Sequence, residues 1–411
     1  MRNKVFLTFL GTGNYQECMY AYQGKQSKKV IYVQTALVDI IAPDCNKYIA
    51  FCTESAFNTH FEQLNKECGN KFTAIKIPNG LDETEIWSIF QKIYDELNDN
   101  DEVILDITHS FRFIPMLGIT LLQYAKFLKK IDVKGLYYGA FDARNEYDNV
   151  APILNLTSFS ALQDWSMFGS QFINTGNIMG LNKIIAQSIS PILRETRGSN
   201  IDAQRIREIN KNLEDISLDF STCRGNELKT GEKIIKLRND IGELEKNILP
   251  AFTPIMEKVK NELKDFEQNN YIKNLFASVK WCIDKDLIQQ GITQLQEAVI
   301  TIISDKLGNL TNEERQQRSI ISSYLGFGIS KPQEEWKEPL TTDIAKQIIQ
   351  NMENDTYDYE EISKAYSSLS EYRNNINHGG YNSQNIPNNR FKTCLEEQYR
   401  KLYEIFLKNA H

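Results

Sequence analysis

The chain has 411 residues, 41% of them hydrophobic and 25% charged, and a formal net charge of −7. That length is enough for two domains with a sizeable core, and the acidic balance argues against a broad basic surface for coating nucleic acid while allowing a local phosphate site. No apolar run reaches the roughly 18–20 residues of a membrane helix, and the opening MRNKVFLTFLGTGN breaks at Gly11, too early for a secretory signal. The seven scattered cysteines contain no CxxC pair, so neither a zinc site nor a disulfide framework is expected. The reading is a reduced, soluble, cytoplasmic protein without a metal site.

The first 155 or so residues alternate between strand-forming and helix-forming runs. VFLTFL (5–10) reads as a buried strand ending at a glycine turn, and YAYQGKQSKKVIYVQ (20–34) as a hairpin around Gly24–Lys29. KYIAFCT (47–53), FTAIKIP (72–78), EVILDIT (102–108) and VKGLYYGA (133–140) are further β-rich apolar runs. Between them, 56–68, 83–97 and 114–130 carry helical patterns. Such alternation predicts a mostly parallel sheet with helices on both faces, a Rossmann-like α/β layout. After about residue 165 the apolar spacing becomes helical, through 178–195, 202–217, 228–268, 272–307, 341–350, 358–378 and 389–409. Pro250 and Pro254 predict a kink or break in a long helix. The stretch 308–340, with Gly326, Gly328, Pro332 and Pro339, reads as a long, partly ordered connection. The expected division is an α/β domain over 1–165, a helical connector over 166–250 and an all-helical domain over 251–411.

Two polar loops fall at carboxyl ends of predicted strands, where open parallel sheets bind ligands. GTGNY (11–15) follows the first strand, and DITHSFRF (106–113) ends a later one. Gly11 and Gly13 let backbone N–H groups approach an anion, and Thr12 and Asn14 add side-chain donors. Thr108, His109 and Ser110 precede a helix start, where the dipole favours anions, and Arg112 adds a charge-assisted contact. A Gly-x-Gly turn is weak by itself, Thr108 or Ser110 could be a helix cap, and His109 a core histidine. The dinucleotide fingerprint is broken, which ranks NAD binding low: Gln16 stands where the third glycine belongs and VIYVQ ends in Gln34 rather than an acidic residue; a Walker lysine is absent too.

Residues 358–378 read as one helix stopped by Gly379–Gly380. Its end, RNNINH (373–378), holds Arg373 and His378 about 140° apart around the axis, so they are not the usual surface pair. Three asparagines are poor choices for a merely stable helix. Histidine can move protons near neutral pH, arginine can hold a phosphate, and RNA supplies its own 2′-OH nucleophile. One histidine per chain is thin for both acid and base work, which makes a C2 dimer with two Arg–His sets attractive.

FLGTGNY (9–15), DITHSFR (106–112) and RNNINH (373–378), in this order, resemble the signatures of the CRISPR-associated CARF–HEPN ribonucleases of type III systems, ancillary nucleases of the DxTHG group. Asp106, Thr108 and His109 match the second signature, and Ser110 stands where glycine is usual. The resemblance implies an N-terminal CARF domain that binds cyclic oligoadenylate across a homodimer, with tetra-adenylate the default and hexa-adenylate the alternative. Gly11, Thr12, Gly13, Asn14, Thr108, His109, Ser110 and Arg112 would contact it. It also implies C-terminal HEPN domains whose paired sets form one composite, metal-independent site for single-stranded RNA, with a functional link to the type III effector complex. There Arg373 would position the scissile phosphate, His378 serve proton transfer or transition-state stabilisation, and Asn374 orient the site. Some members degrade their activator in the CARF pocket, where Thr12, Thr108 or Ser110 would lie near ribose. The rival readings are a CARF-type transcriptional regulator whose helical half binds DNA, a metabolic Rossmann enzyme, and an HEPN domain that only dimerises.

Overall fold

A computed structural model describes residues 2–109, 113–244, 249–311, 313–381 and 386–408. The chain divides into two compact units, Met1–Asp164 and Trp165–His411.

The first unit is built on one sheet of eight strands. They are β1 (Lys4–Leu10), β2 (Met19–Tyr22), β3 (Lys25–Gln26), β4 (Lys47–Cys52), β5 (Phe72–Lys76), β6 (Glu102–Asp106), β7 (Asp132–Gly139) and β8 (Val150–Asn155). Their order across the sheet is β3-β2-β8-β7-β6-β1-β4-β5. The five strands from β5 to β7 run parallel, and β8 turns antiparallel to β7. Strand β1 is central because it is apolar on both faces, as a parallel strand covered by helices must be. Val5, Leu7 and Phe9 pack into one layer and Phe6 and Leu10 into the other, all nearly or fully buried. Fully burying such a side chain is worth about 1.5–3 kcal/mol. The chain lays β4 and β5 on one side of β1 and then crosses to place β6 on the other, so the strand order reverses at the β1–β6 boundary.

Three local readings differ from the sequence expectation. The hairpin is shorter: it turns at Gln23 and Gly24, both with positive φ (47° and 78°), the geometry of a two-residue hairpin turn. VIYVQ is not its second strand, because Val33 opens the helix Val33–Ile40, whose first six residues are all buried. Burial on all sides gives a short helix the same continuous apolar run as a buried strand. Strand β8 is also missing from the sequence expectation: Pro152 lies within its run VAPILN, and proline inside a run argues against a strand. The remaining expected strands and the helices at 83–95 and 114–128 lie where the apolar periods put them.

The second unit is helical, packed around Leu275, Phe276, Leu295, Val299, Ile303, Ile320, Leu325, Ile348, Leu369 and Phe406 among others. The predicted run 228–268 is several helices, Gly225–Lys229, Glu232–Gly242 and Phe252–Glu262, with Pro254 in the first turn of the last, where a missing N–H costs nothing. The stretch 308–340 is not a mere connection. Glu314–Gly326 is a helix whose Ile320, Ile321 and Leu325 are buried in the core. Its polar majority hid a narrow apolar stripe. The helix Thr157–Thr175 was likewise unread.

Candidate functional site

A cavity of about 450 Å³ opens at the carboxyl ends of β1, β4, β6 and β7. It is lined by Leu10 to Gln16 after β1, Thr53 after β4, Thr108 and His109 after β6, and Gly139, Phe141 and Asp142 after β7. This is the reversal point of the sheet, where connections leave in opposite directions and open a crevice. Six of the eight expected ligand residues line it: Gly11, Thr12, Gly13, Asn14, Thr108 and His109. Ser110 and Arg112 lie outside the described residues. Neither Gly11 nor Gly13 has a positive φ, and a Cβ on Gly13 would point into open space. Their value is therefore room above the backbone, not a left-handed turn.

Beneath the crevice, Asp106 fastens three strands together. It is fully buried. Its Oδ2 accepts from Thr8 Oγ1 of β1 at 2.6 Å, and its Oδ1 accepts from Thr108 N at 2.9 Å and Thr108 Oγ1 at 2.5 Å. Thr108 Oγ1 in turn accepts from Gly139 N of β7 at 2.8 Å. Burial pushes the Asp106 carboxyl up, against the pull of those hydrogen bonds. The hydroxyl proton of Thr108 is thus committed inside the protein. Thr108 is not a helix cap either, since the next helix starts at Ile114 with Phe113 as its cap. Thr8, a lone polar residue inside VFLTFL, is the partner that strand reading passed over.

An aromatic cluster closes one wall. Tyr15 meets His109 edge-on at 4.5 Å between ring centres, His60 at 4.7 Å and Tyr32 at 4.9 Å. Tyr15 Oη accepts from Gly11 N at 2.9 Å and donates to Gly11 O at 3.2 Å, which braces the glycine loop. Tyr32 Oη lies 3.3 Å from His60 Nδ1. Burial, helped by the neighbouring His60, lowers the His109 pKa to about 4. Burial also lowers that of His60, opposed by a hydrogen bond to the Gly13 backbone. At neutral pH both rings are uncharged, so they offer stacking faces and neutral hydrogen bonds. The crevice lining contains no Lys or Arg among the described residues. An anion here would be held by backbone N–H groups and hydroxyls. His60 is a member of this cluster that the sequence reading does not assign; its position two turns beyond β4, on the same sheet edge, is the available signal.

In the second unit, the helix Tyr359–Asn377 is capped by Asp358, whose side chain accepts from Glu361 N at 3.0 Å. Ile362, Ala365, Tyr366 and Leu369 form its buried stripe. It ends as expected: Gly379 and Gly380 have φ of 59° and 76°, and Gly380 N bonds back to Asn375 O at 2.9 Å. Arg373 turns toward the helix Ile288–Leu307. Its Nη1 donates to Gln296 Oε1 at 3.2 Å and stands 3.7 Å from Glu297 Oε1. Gln296 also donates to Ser370 Oγ at 2.5 Å. Glu297 is shared with Arg318 at 2.8 Å. With side chains 34% and 44% exposed, the Arg373–Glu297 pair is worth about 0–1 kcal/mol. A phosphate, able to take a bidentate charge-assisted pair, can displace it. Asn374 and His378 are exposed, His378 as the C-cap roughly 7.5 Å further along the helix axis. Asn375 is buried, on the face toward Gln289 and Gln290. No cluster of three metal-ligating side chains occurs among the described residues, and no described helix is long and apolar enough to cross a membrane.

Residues 5–142 match the family described as the CARF domain of the CRISPR system endoribonuclease Csx1. The CRISPR-associated protein MJ1674 of Methanocaldococcus jannaschii is 26% identical over 253 residues, a match covering 60% of this chain and 36% of that protein. The parallel sheet and the crevice at its reversal point therefore lie in a region similar to a CARF domain, and the chain has a CRISPR-associated relative.

Proposed function

We propose that this chain is a cyclic oligoadenylate-activated, metal-independent endoribonuclease that cuts single-stranded RNA in type III CRISPR antiviral defence. The carrying observation is the match of residues 5–142 to a Csx1 CARF domain; the crevice of this region has aromatic rings, backbone donors, one carboxylate (Asp142) and, among the described residues, no Lys or Arg. Such a lining suits adenine rings for stacking and phosphates for backbone N–H groups. Thr12, Asn14 and His109 are the contacting side chains, with Thr108 positioned by Asp106.

The helical unit supplies the reaction. The 2′-OH of one nucleotide attacks the adjacent phosphorus, the bond to the 5′-oxygen breaks, and a 2′,3′-cyclic phosphate forms. Arg373 leaves Glu297 to hold the non-bridging oxygens as charge builds on them. His378 moves a proton at the 2′-oxygen or the leaving 5′-oxygen. Asn374 orients the phosphate. Each step needs a group at both oxygens, so two chains facing each other, each giving Arg373 and His378, form the complete site.

The test is cleavage of a fluorogenic single-stranded RNA in EDTA, with no activator or with cyclic tri-, tetra- or hexa-adenylate, beside His378→Ala. Cleavage that depends on one ring size and disappears in the variant supports the reading. Absence of cleavage with every ring overturns it.

A further inference from the structure

We propose that a second cavity, beside the Arg373–His378 helix end, is a subsite that binds an unpaired nucleobase of the RNA and sets cleavage preference. The inference rests on the ribonuclease reading of that helix end and names what it selects.

The cavity, about 620 Å³, lies between the start of the helix Ile288–Leu307 and the end of the helix Tyr359–Asn377. These two helices run antiparallel. Ser370 and Arg373 meet Gln296, while Asn375 and Ile376 share the cavity with Ile288, Gln289 and Gln290. Moving from Arg373 to His378 along one helix is therefore moving toward the cavity. A nucleotide beside the scissile phosphate falls within its reach.

The lining selects the ligand class. It carries the amides of Gln289, Gln290, Asn375 and Asn388, the ring of Phe391, two glycines and one carboxylate, Asp286. Among the described residues its lining contains no Lys or Arg, and Asp286 is ion-paired to Lys392. A phosphate meets a carboxylate there, and the neighbouring Lys392 is already committed to that carboxylate. A flat, neutral group with donors and acceptors on its edge finds the amides of Gln289, Gln290 and Asn388 at the surface of the cavity, each offering both. Amides pair with base edges, and unpaired RNA bases are read by such pairing together with aromatic stacking. Phe391, held edge-on by Tyr372 at 5.3 Å, gives a fixed face for the base. Gln289 and Gln290 have no side-chain hydrogen bond to another described residue, so their amides are available.

The experiment cuts a pooled random-sequence single-stranded RNA with the full chain and activator, and sequences the ends. The wild type is expected to favour one base at a position next to the cut. In the Gln289→Ala/Gln290→Ala double variant that preference is expected to flatten by about tenfold, the scale of one good amide–base pairing. Gln290→Glu, which removes the donor, is expected to shift preference toward bases presenting an amino group. Both changes are at partly or fully exposed side chains, and a thermal melt confirms that the variants fold. A wild-type chain that cuts with a preference unchanged in both variants, or with no preference at all, overturns the subsite while leaving the nuclease standing. A chain that cuts nothing overturns the nuclease reading and the subsite together.

Discussion

The crevice in the first unit and the helix end in the second are organised in opposite ways. In the crevice, polar groups are spent on the protein itself. Asp106 is fully buried and takes three hydrogen bonds, Thr108 bonds on both sides of its hydroxyl, and Tyr15 closes a loop onto Gly11. At the helix end, Asn374 and His378 are exposed and, among the described residues, Arg373 meets a neutral amide and a weak surface ion pair. On the proposed reading, this difference separates recognition from chemistry. A pocket that must recognise one ligand is stiffened in advance, so that little ordering cost falls on binding. On the proposed reading, the helix end gains its second half only from another copy of the chain, and alone it has nothing to lock against.

The comparison breaks most sharply at His378. His378→Ala is expected to lower RNA cleavage by at least about 10²-fold, the usual size of a general acid–base contribution, with activator binding in a filter assay unchanged. Cleavage near the wild-type rate would remove the helix end from the reaction. Thr108→Val tests the other side. It deletes one donor to a buried carboxylate and the acceptor for Gly139 N, at a cost of about 1–3 kcal/mol. Urea unfolding of the first unit is expected to shift to lower concentration, and the activator concentration for half-maximal cleavage to rise about tenfold. An unshifted transition would mean that the Asp106 network is dispensable.

A third effect is in pH. Burial holds the His109 pKa down to about 4 and lowers that of His60 as well. Above the ordinary histidine value of about 6.5 both rings are neutral, folded or unfolded. As pH falls from there toward 4, the unfolded chain takes up protons that the folded chain refuses, so stability of the first unit is lost across that window. Melting midpoints measured between pH 7 and pH 4 should fall, and the fall should shrink in His109→Gln. The smallest effect is at Glu297. Glu297→Gln frees Arg373 from an ion pair worth about 0–1 kcal/mol, so RNA affinity is expected to rise by no more than about fivefold, an effect that fades in high salt. A hundredfold change would show that Glu297 does more than rest against the arginine.

Much was legible in the amino-acid order because it is written in local chemistry. The parallel-sheet layout followed from buried runs alternating with helical periods, and the helix stop at Gly379–Gly380 from the residues that tolerate positive φ. The two glycine and threonine loops were found because carboxyl ends of parallel strands face the same edge. Val33–Ile40 misled because an element buried on every side carries no period, and Glu314–Gly326 because a narrow stripe of five buried side chains, one of them Gln317, on a polar helix looks like a loop.

What only the tertiary structure decided is pairing across distance. Thr8 and Asp106 are 98 positions apart, and Arg373 and Gln296 are 77 apart, so no spacing rule connects them. His60 joins Tyr15 and His109 because β4 and β6 flank β1, an order set by the crossover between the two sides of the sheet. The sequence determined which groups can do chemistry at each loop and helix end. The fold decided which of them are already occupied, because a hydrogen bond taken inside the protein is one that a ligand cannot have.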